Sequence, residues 1–106
     1  MATTFKKWAI GFDLGGTNLR AALVSTEGKL KDRISRPTQS NRGEYYVIRD
    51  IKNIIIELLE KSPSKVLGVG MGAPGPLDPS SGIIVNSPNL KWKNVHLKAI
   101  LEKDIQ

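Results

Sequence analysis

The segment from Gly11 to Arg20 brings together a carboxylate, two adjacent glycines and side-chain hydrogen-bond donors. Asp13 stands at the end of an apolar run and is followed by Leu14, Gly15, Gly16, Thr17 and Asn18. Glycines let backbone N–H groups approach phosphate oxygens without a Cβ in the way. Thr17 and Asn18 add donors, and Asp13 is suited to hold Mg²⁺ through the water shell of the ion. The spacing therefore predicts a site for the phosphates of a Mg-nucleotide.

The same residues also fit a plain β-hairpin closed by a Gly-Gly turn, in which adjacent glycines allow positive φ without steric cost. The segment is not a P-loop of the Walker type. It lacks the Gly-Lys-Ser/Thr end of that motif, and a strand rather than a helix is predicted to follow it.

A second glycine-rich segment runs from Gly68 to Gly75 and contains G-x-G-x-x-G at positions 70, 72 and 75. A dinucleotide fingerprint must open a helix and requires an acidic residue about 20 positions further on. Pro74 and Pro76 flank the last glycine, and after Asp78 the next acid is Glu102. We therefore reject dinucleotide binding. The alternatives are a buried, closely packed strand or a backbone-lined rim at which Gly75 approaches a small polyhydroxylated ligand.

The third segment of interest, Asn86 to Trp92, reads as a turn-rich loop. An Asn amide both donates and accepts hydrogen bonds, which suits a sugar hydroxyl. His96 is the only histidine, and we interpret it as a surface or helix-end residue rather than a catalyst.

Three strands joined by short turns are predicted to position the first segment, and they must be antiparallel neighbours. Their ranges are Lys7–Asp13, Thr17–Ser25 and Lys29–Arg36. A helix follows, in which Asn41 and Glu44 have the spacing of an N-cap pair and Ser62-Pro63 gives the stop. Its apolar residues fall at helical spacing, at positions 47, 48, 51, 54, 55, 58 and 59.

After the helix we predict a buried strand at Val66–Met71, a short strand at Ile83–Val85 and a helix at Val95–Ile105. The order β-β-β-α-β indicates an α/β fold with a mixed sheet packed by helices. A chain of 106 residues fits one domain.

The composition excludes several classes of protein. There are no cysteines, so these residues hold neither a disulfide nor a thiolate metal site. No apolar run approaches the roughly 18 residues of a membrane span, and the N-terminus lacks the apolar stretch of a signal peptide. We therefore expect no membrane partner and a cytoplasmic location.

The net charge of +6 raises the question of nucleic-acid binding. The densest basic stretch, Lys29–Arg42, places its first basic residues at every second position, as on a strand face turned to water. No aromatic residue is interleaved with them to stack on bases. We therefore expect no nucleic-acid partner.

The three segments, in this order and spacing, resemble the amino-terminal lobe of the ROK family of sugar kinases and repressors. Asp13 to Asn18 is similar to the first phosphate motif of the wider actin and hexokinase superfamily. Asn18-Leu19-Arg20 resembles the hexokinase version, whereas many ROK members carry Lys in place of Asn18. The segments from Gly70 to Gly75 and from Ser87 to Trp92 resemble the part of ROK proteins that borders the sugar pocket.

This resemblance implies a ribonuclease-H-like lobe of an ATP-dependent hexose kinase, with glucose the first candidate. It implies that Asp13, Gly15, Gly16, Thr17 and Asn18 bind Mg-ATP, with Asp13 on the metal side, and that Gly75 and Asn89 contact the sugar. The parent protein would be a homodimer.

The resemblance covers residues 1–106 as one lobe, and the second lobe is absent from them. The family's catalytic aspartate follows a short strand that would begin after Gln106, and we do not accept Asp104 in its place. We therefore expect this chain alone to be inactive. Two other hypotheses remain open: the sugar-sensing part of a ROK-type repressor, and a stand-alone domain that binds a sugar or phosphate.

Overall fold

The structure is a computed structural model that describes residues 7–72, 77–78, 83–87 and 92–104. Its main sheet has the strand order β3-β2-β1-β4. The strands are β1 (Trp8–Leu14), β2 (Asn18–Ser25), β3 (Leu30–Pro37) and β4 (Val66–Gly72). β1 pairs antiparallel with β2, β2 antiparallel with β3, and β1 parallel with β4. The α/β class, the mixed sheet and the order β-β-β-α-β are therefore confirmed.

Helix α1 (Glu44–Lys61) crosses from β3 to β4 and covers one face of the sheet. Its predicted end before Ser62 is confirmed, and its buried residues are Val47, Ile48, Ile51, Ile54, Ile55 and Leu58. They pack against the inward side chains of β1 and β2, which include Ile10, Leu14, Leu19 and Leu23. This single apolar layer is the core, and it holds the end of β1 in place because Leu14 is buried in it.

The prediction that Asn41 is the N-cap of α1 is wrong. Asn41 lies inside a 3-10 turn, Ser40–Arg42, and the N-cap residue is Gly43, with no side-chain cap. Gly43 has a φ of 93°, in the region of positive φ that favours glycine. The tight 3-10 turn therefore takes the place of the capping pair that the spacing indicates.

The prediction that the glycine-rich strand is buried is also wrong for the described residues. β4 is an edge strand that pairs only with β1, and most of its residues are exposed. Leu67 is 63% exposed and Val69 is 42% exposed. An edge strand has a neighbour on one side alone, and the residues of β4 that pack against the core are Val66 and Met71.

A smaller antiparallel sheet follows, with the order β5-β6-β7. Its strands are β5 (Leu77–Asp78), β6 (Ile83–Ser87) and β7 (Trp92–Val95), and α2 (Leu97–Asp104) comes last. The helix therefore begins two residues later than predicted, because Val95 pairs with Ile84 in the sheet. Val95 and Leu97 join the core. In the described part of the chain, no helix is both long and apolar enough to cross a membrane.

Candidate functional site

The hairpin of β1 and β2 sets Asp13 and Arg20 directly opposite each other. Phe12, next to Asp13, and Leu19, next to Arg20, are both buried in the core. Since side chains alternate between the two faces of a strand, Asp13 and Arg20 lie on the other face of the sheet, and both are exposed. The hydrophobic pattern of the hairpin thus brings a carboxylate and a guanidinium to one spot.

These two opposite charges form no ion pair with each other, nor with any other residue in the part of the chain that the structure describes. The Asp13 carboxylate is therefore available to a cation, and the Arg20 guanidinium is available to an anion. A metal-bound phosphate presents both kinds of charge at once.

The turn between the two strands supplies backbone donors. Gly15 N–H donates to Asn18 O at 3.0 Å and closes the turn. The N–H groups of Gly16 and Thr17, which follow it, have no hydrogen-bond partner within the described ranges. Free, adjacent N–H groups form the kind of concave nest that binds anions.

Gly15 is required by close approach and not by its φ angle. A Cβ at this position would lie 2.7 Å from Asn18 O, inside any normal contact distance. The positive φ that the sequence suggests for the Gly15–Gly16 pair is wrong. Among the described residues, the glycines with positive φ are Gly28 and Gly43.

One cavity of about 240 Å³ unites the site. Its walls are formed by Asp13, Gly15, Gly16, Thr17, Asn18 and Arg20. The structure thus brings together all five residues that the sequence assigns to nucleotide binding. The two residues assigned to the sugar, Gly75 and Asn89, lie outside the described residues.

Arg20 lies within the motif but is not among the residues predicted for the site. The pattern of the hairpin could have predicted that Arg20 lies at the site. Once the turn is centred on Gly16-Thr17, antiparallel pairing sets residue 13 against residue 20. The alternation of buried Leu19 and Ala21 then puts Arg20 on the face of Asp13.

The donor set fits Mg²⁺ only in company with a phosphate. Asp13 is the one carboxylate at the cavity, and the described residues contain no cluster of three or more His, Cys, Asp or Glu side chains. Mg²⁺ keeps several waters and is commonly bound through one or two carboxylates plus substrate phosphates. Asp13 is therefore suited to the water shell of a phosphate-bound ion.

A broader depression of about 630 Å³ adjoins the site on the same sheet face. Asp13 and Arg20 line its edge, and its floor includes Gly11, Ala22 and Val24. No described element covers this face, because α1 and α2 are both on the opposite side of the sheet.

The family model described as the ROK family matches residues 9–106. The chain belongs to the ROK family. Its mixed sheet with α1 has the fold of the amino-terminal lobe of ROK kinases of the actin and hexokinase type, as the motifs predict.

ROK relatives of two kinds are similar to this chain. It is 32% identical over 101 residues to a glucokinase of Halalkalibacterium halodurans, covering 92% of this chain and 31% of that protein. It is 40% identical over 95 residues to a glucokinase of Thermotoga maritima, covering 89% and 29%. It is also 29% identical over 97 residues to a xylose repressor of Caldicellulosiruptor bescii, covering 89% and 24%. The chain therefore spans about a third or less of these relatives.

A solved structure with the same fold is a ROK family glucokinase from Streptomyces griseus in complex with glucose and AMPPNP. The TM-score is 0.82 at 26% sequence identity, and the match covers 92% of this chain and 30% of that one. The family thus includes sugar kinases and regulators that share this lobe.

Proposed function

We propose that the chain is the amino-terminal lobe of an ATP-dependent sugar kinase that phosphorylates a hexose, with glucose the first candidate. The observation that carries the proposal is the single cavity in which Asp13 and Arg20 face each other, unpaired, beside the free N–H groups of Gly16 and Thr17. A Mg-bound triphosphate matches this arrangement of one anionic side chain, one cationic side chain and backbone donors.

Each side of the cavity has its own task in this proposal. The N–H groups of Gly16 and Thr17 and the side chains of Thr17 and Asn18 donate to phosphate oxygens. Arg20 neutralises phosphate charge, and Asp13 accepts hydrogen bonds from the water shell of the metal. When bound, Mg²⁺ neutralises the charge that develops on the transferred phosphoryl group. Fixing these groups before the reaction is the main contribution that a protein makes to phosphoryl transfer.

The acceptor sugar would meet this lobe at Gly75 and Asn89, which the family resemblance assigns to it. A proton acceptor for the sugar hydroxyl is not among the residues around the cavity, since its one carboxylate, Asp13, serves the metal side. We propose that the acceptor belongs to a second lobe outside this chain. A missing general base costs roughly 10²–10⁴-fold in rate. The chain alone should therefore bind Mg-nucleotide without useful turnover.

The similarity to glucokinases of two organisms supports the kinase proposal. The Streptomyces griseus glucokinase holds glucose and an ATP analogue in the structure whose lobe this chain matches. By the same resemblance, the parent would be a cytoplasmic homodimer.

The proposal is tested by isothermal titration of the chain with Mg-AMPPNP at low salt. Asp13→Asn should remove most of the affinity that Mg²⁺ adds, and Glu60→Gln, a charge change on the exposed surface of α1, should not. Wild-type binding that is equally strong with and without Mg²⁺, or that is unchanged in Asp13→Asn, would contradict the proposed site.

The xylose repressor similarity supports a second candidate, the sugar-sensing part of a regulator. A sensor requires the sugar and does not require Mg-nucleotide. Glucose or xylose binding to the full-length protein, together with no detectable Mg-AMPPNP binding, would favour this candidate over the kinase.

A further inference from the structure

Thr38 is a polar residue that is completely buried, directly after the end of β3. Its exposed fraction is 0%, and the other buried polar residue among those described is Ser25, at 4%. A buried hydroxyl is stable only when it is hydrogen-bonded. The partners of Thr38 therefore show what the residue holds in place.

Thr38 donates two hydrogen bonds to the turn of the candidate site. The Thr38 hydroxyl donates to the carbonyl oxygen of Gly15 at 2.6 Å. The backbone N–H of Thr38 donates to the carbonyl oxygen of Thr17 at 2.9 Å. One buried residue thus holds two of the three carbonyl groups of the turn from Gly15 to Thr17.

These bonds set the direction of the donors. In a planar trans peptide the C=O and the following N–H point in opposite directions. Because the Gly15 carbonyl is bound to Thr38, the N–H of Gly16 is directed away from Thr38 and from the interior. A carbonyl at Gly15 that was free to rotate would not hold this N–H in one direction.

Thr38 is itself held from the side of α1. The Arg42 guanidinium donates to the carbonyl oxygen of Thr38 at 3.0 Å and to Asp50 Oδ2 at 2.5 Å. The side chains of Arg42 and Asp50 are 30% and 21% exposed. Asp50 lies on α1, whose apolar face is buried in the core, so the turn is connected through Thr38 and Arg42 to the helix that packs on the sheet.

We propose that Thr38 is a positioning residue for phosphate binding, which acts through the Gly15 carbonyl to hold the Gly16 N–H ready for an anion. Being buried, it touches no ligand. The inference rests on the proposed function for its ligand, a nucleotide phosphate, while the anchoring of the turn is measurable without any ligand.

The variants are Thr38→Val, which keeps the shape and removes the hydroxyl, and Thr38→Ser, which keeps the hydroxyl. Ser25→Ala is the matched control, because the Ser25 hydroxyl accepts from the N–H groups of Glu27 and Lys29 at the far end of β2. Arg42→Met is a milder second variant, since it removes the hydrogen bond that the partly exposed Arg42 side chain donates to the carbonyl oxygen of Thr38.

The first readout is amide hydrogen exchange without ligand. The Gly15 N–H reports on the turn, because its hydrogen bond to Asn18 O closes it. In Thr38→Val this N–H should exchange about tenfold faster or more, because the turn opens more often without the hydrogen bond from the Thr38 hydroxyl. Thr38→Ser and Ser25→Ala should leave this amide near its wild-type rate, and Arg42→Met should have an intermediate effect. An unchanged exchange rate of the Gly15 N–H in Thr38→Val overturns the inference. If Thr38→Val does not fold, an unchanged rate in Arg42→Met overturns it.

The second readout is the affinity for Mg-AMPPNP. Thr38→Val should bind about tenfold more weakly, Thr38→Ser should bind within about threefold of the wild type, and Ser25→Ala should bind as the wild type does. Equal weakening in Thr38→Val and Ser25→Ala would mean a general structural effect and overturns the positioning role. If the wild type binds no Mg-AMPPNP, the proposed function fails, and the exchange of the Gly15 amide still decides whether Thr38 anchors the turn.

Discussion

Replacing Gly15 by alanine tests whether the turn of the site requires its present backbone. The added Cβ would lie 2.7 Å from Asn18 O, which is 0.7 Å short of the ordinary contact distance of 3.4 Å. The obstacle is backbone and not a flexible side chain, so the turn itself must open. Overpacking of this kind costs about 1–3 kcal/mol. For a domain of this size, that lowers the melting temperature by roughly 5–15 °C.

Gly68→Ala is the matched control for this prediction. A Cβ on Gly68 would meet no atom within 4 Å, and its φ is not in the left-handed region. Alanine at such a position should raise stability by about 0.4–1 kcal/mol, because it restricts the unfolded chain. The two variants should therefore have opposite signs in urea unfolding. A Gly15→Ala protein as stable as the wild type would refute the reasoning. So would a Gly68→Ala protein that is destabilised as much as Gly15→Ala.

Two further variant pairs test the site and the core. Arg20→Met should weaken Mg-AMPPNP binding by about tenfold, the value of a charge-assisted hydrogen bond, whereas Arg33→Met, an exposed arginine of β3, should change it less than twofold. Isothermal titration of both variants in the same buffer measures the two affinities. Equal losses of affinity would mean a general charge effect and would contradict a specific role of Arg20. Ile51→Ala, at 0% exposure, should cost about 2–5 kcal/mol in urea unfolding. Ile56→Ala, 43% exposed on the same helix, should cost well under half of that, and a similar cost for both would contradict the assigned core face.

Much of the fold could be predicted from short-range hydrophobic patterns in the sequence. The 3.6-residue period of the apolar positions in α1 predicts its buried face, with Leu59 at the margin, 36% exposed, and Ser62-Pro63 predicts its end. The two-residue alternation in β1 and β2 places Asp13 on the face away from the core. These patterns succeed because the burial of one face is the dominant energy in each element.

The errors come from interactions that the local sequence does not display. The start of α1 depends on the backbone path through Gly43, and the exposure of β4 depends on which strands lie beside it. The contribution of Thr38 depends on a contact that spans 23 positions in the sequence. The spacing of a motif predicts which residues come together, but it does not identify the buried residue beneath them that sets their orientation.

The most direct test of the central claim is an amide NMR titration of the ¹⁵N-labelled chain with Mg-AMPPNP. The claim is that the turn between β1 and β2 binds the phosphates of a Mg-nucleotide. It predicts the largest shifts at Gly16 and Thr17, with smaller shifts at Arg20 and none at the far turn around Gly28. Saturable shifts that centre elsewhere in the chain, or no shifts at millimolar nucleotide, would contradict it.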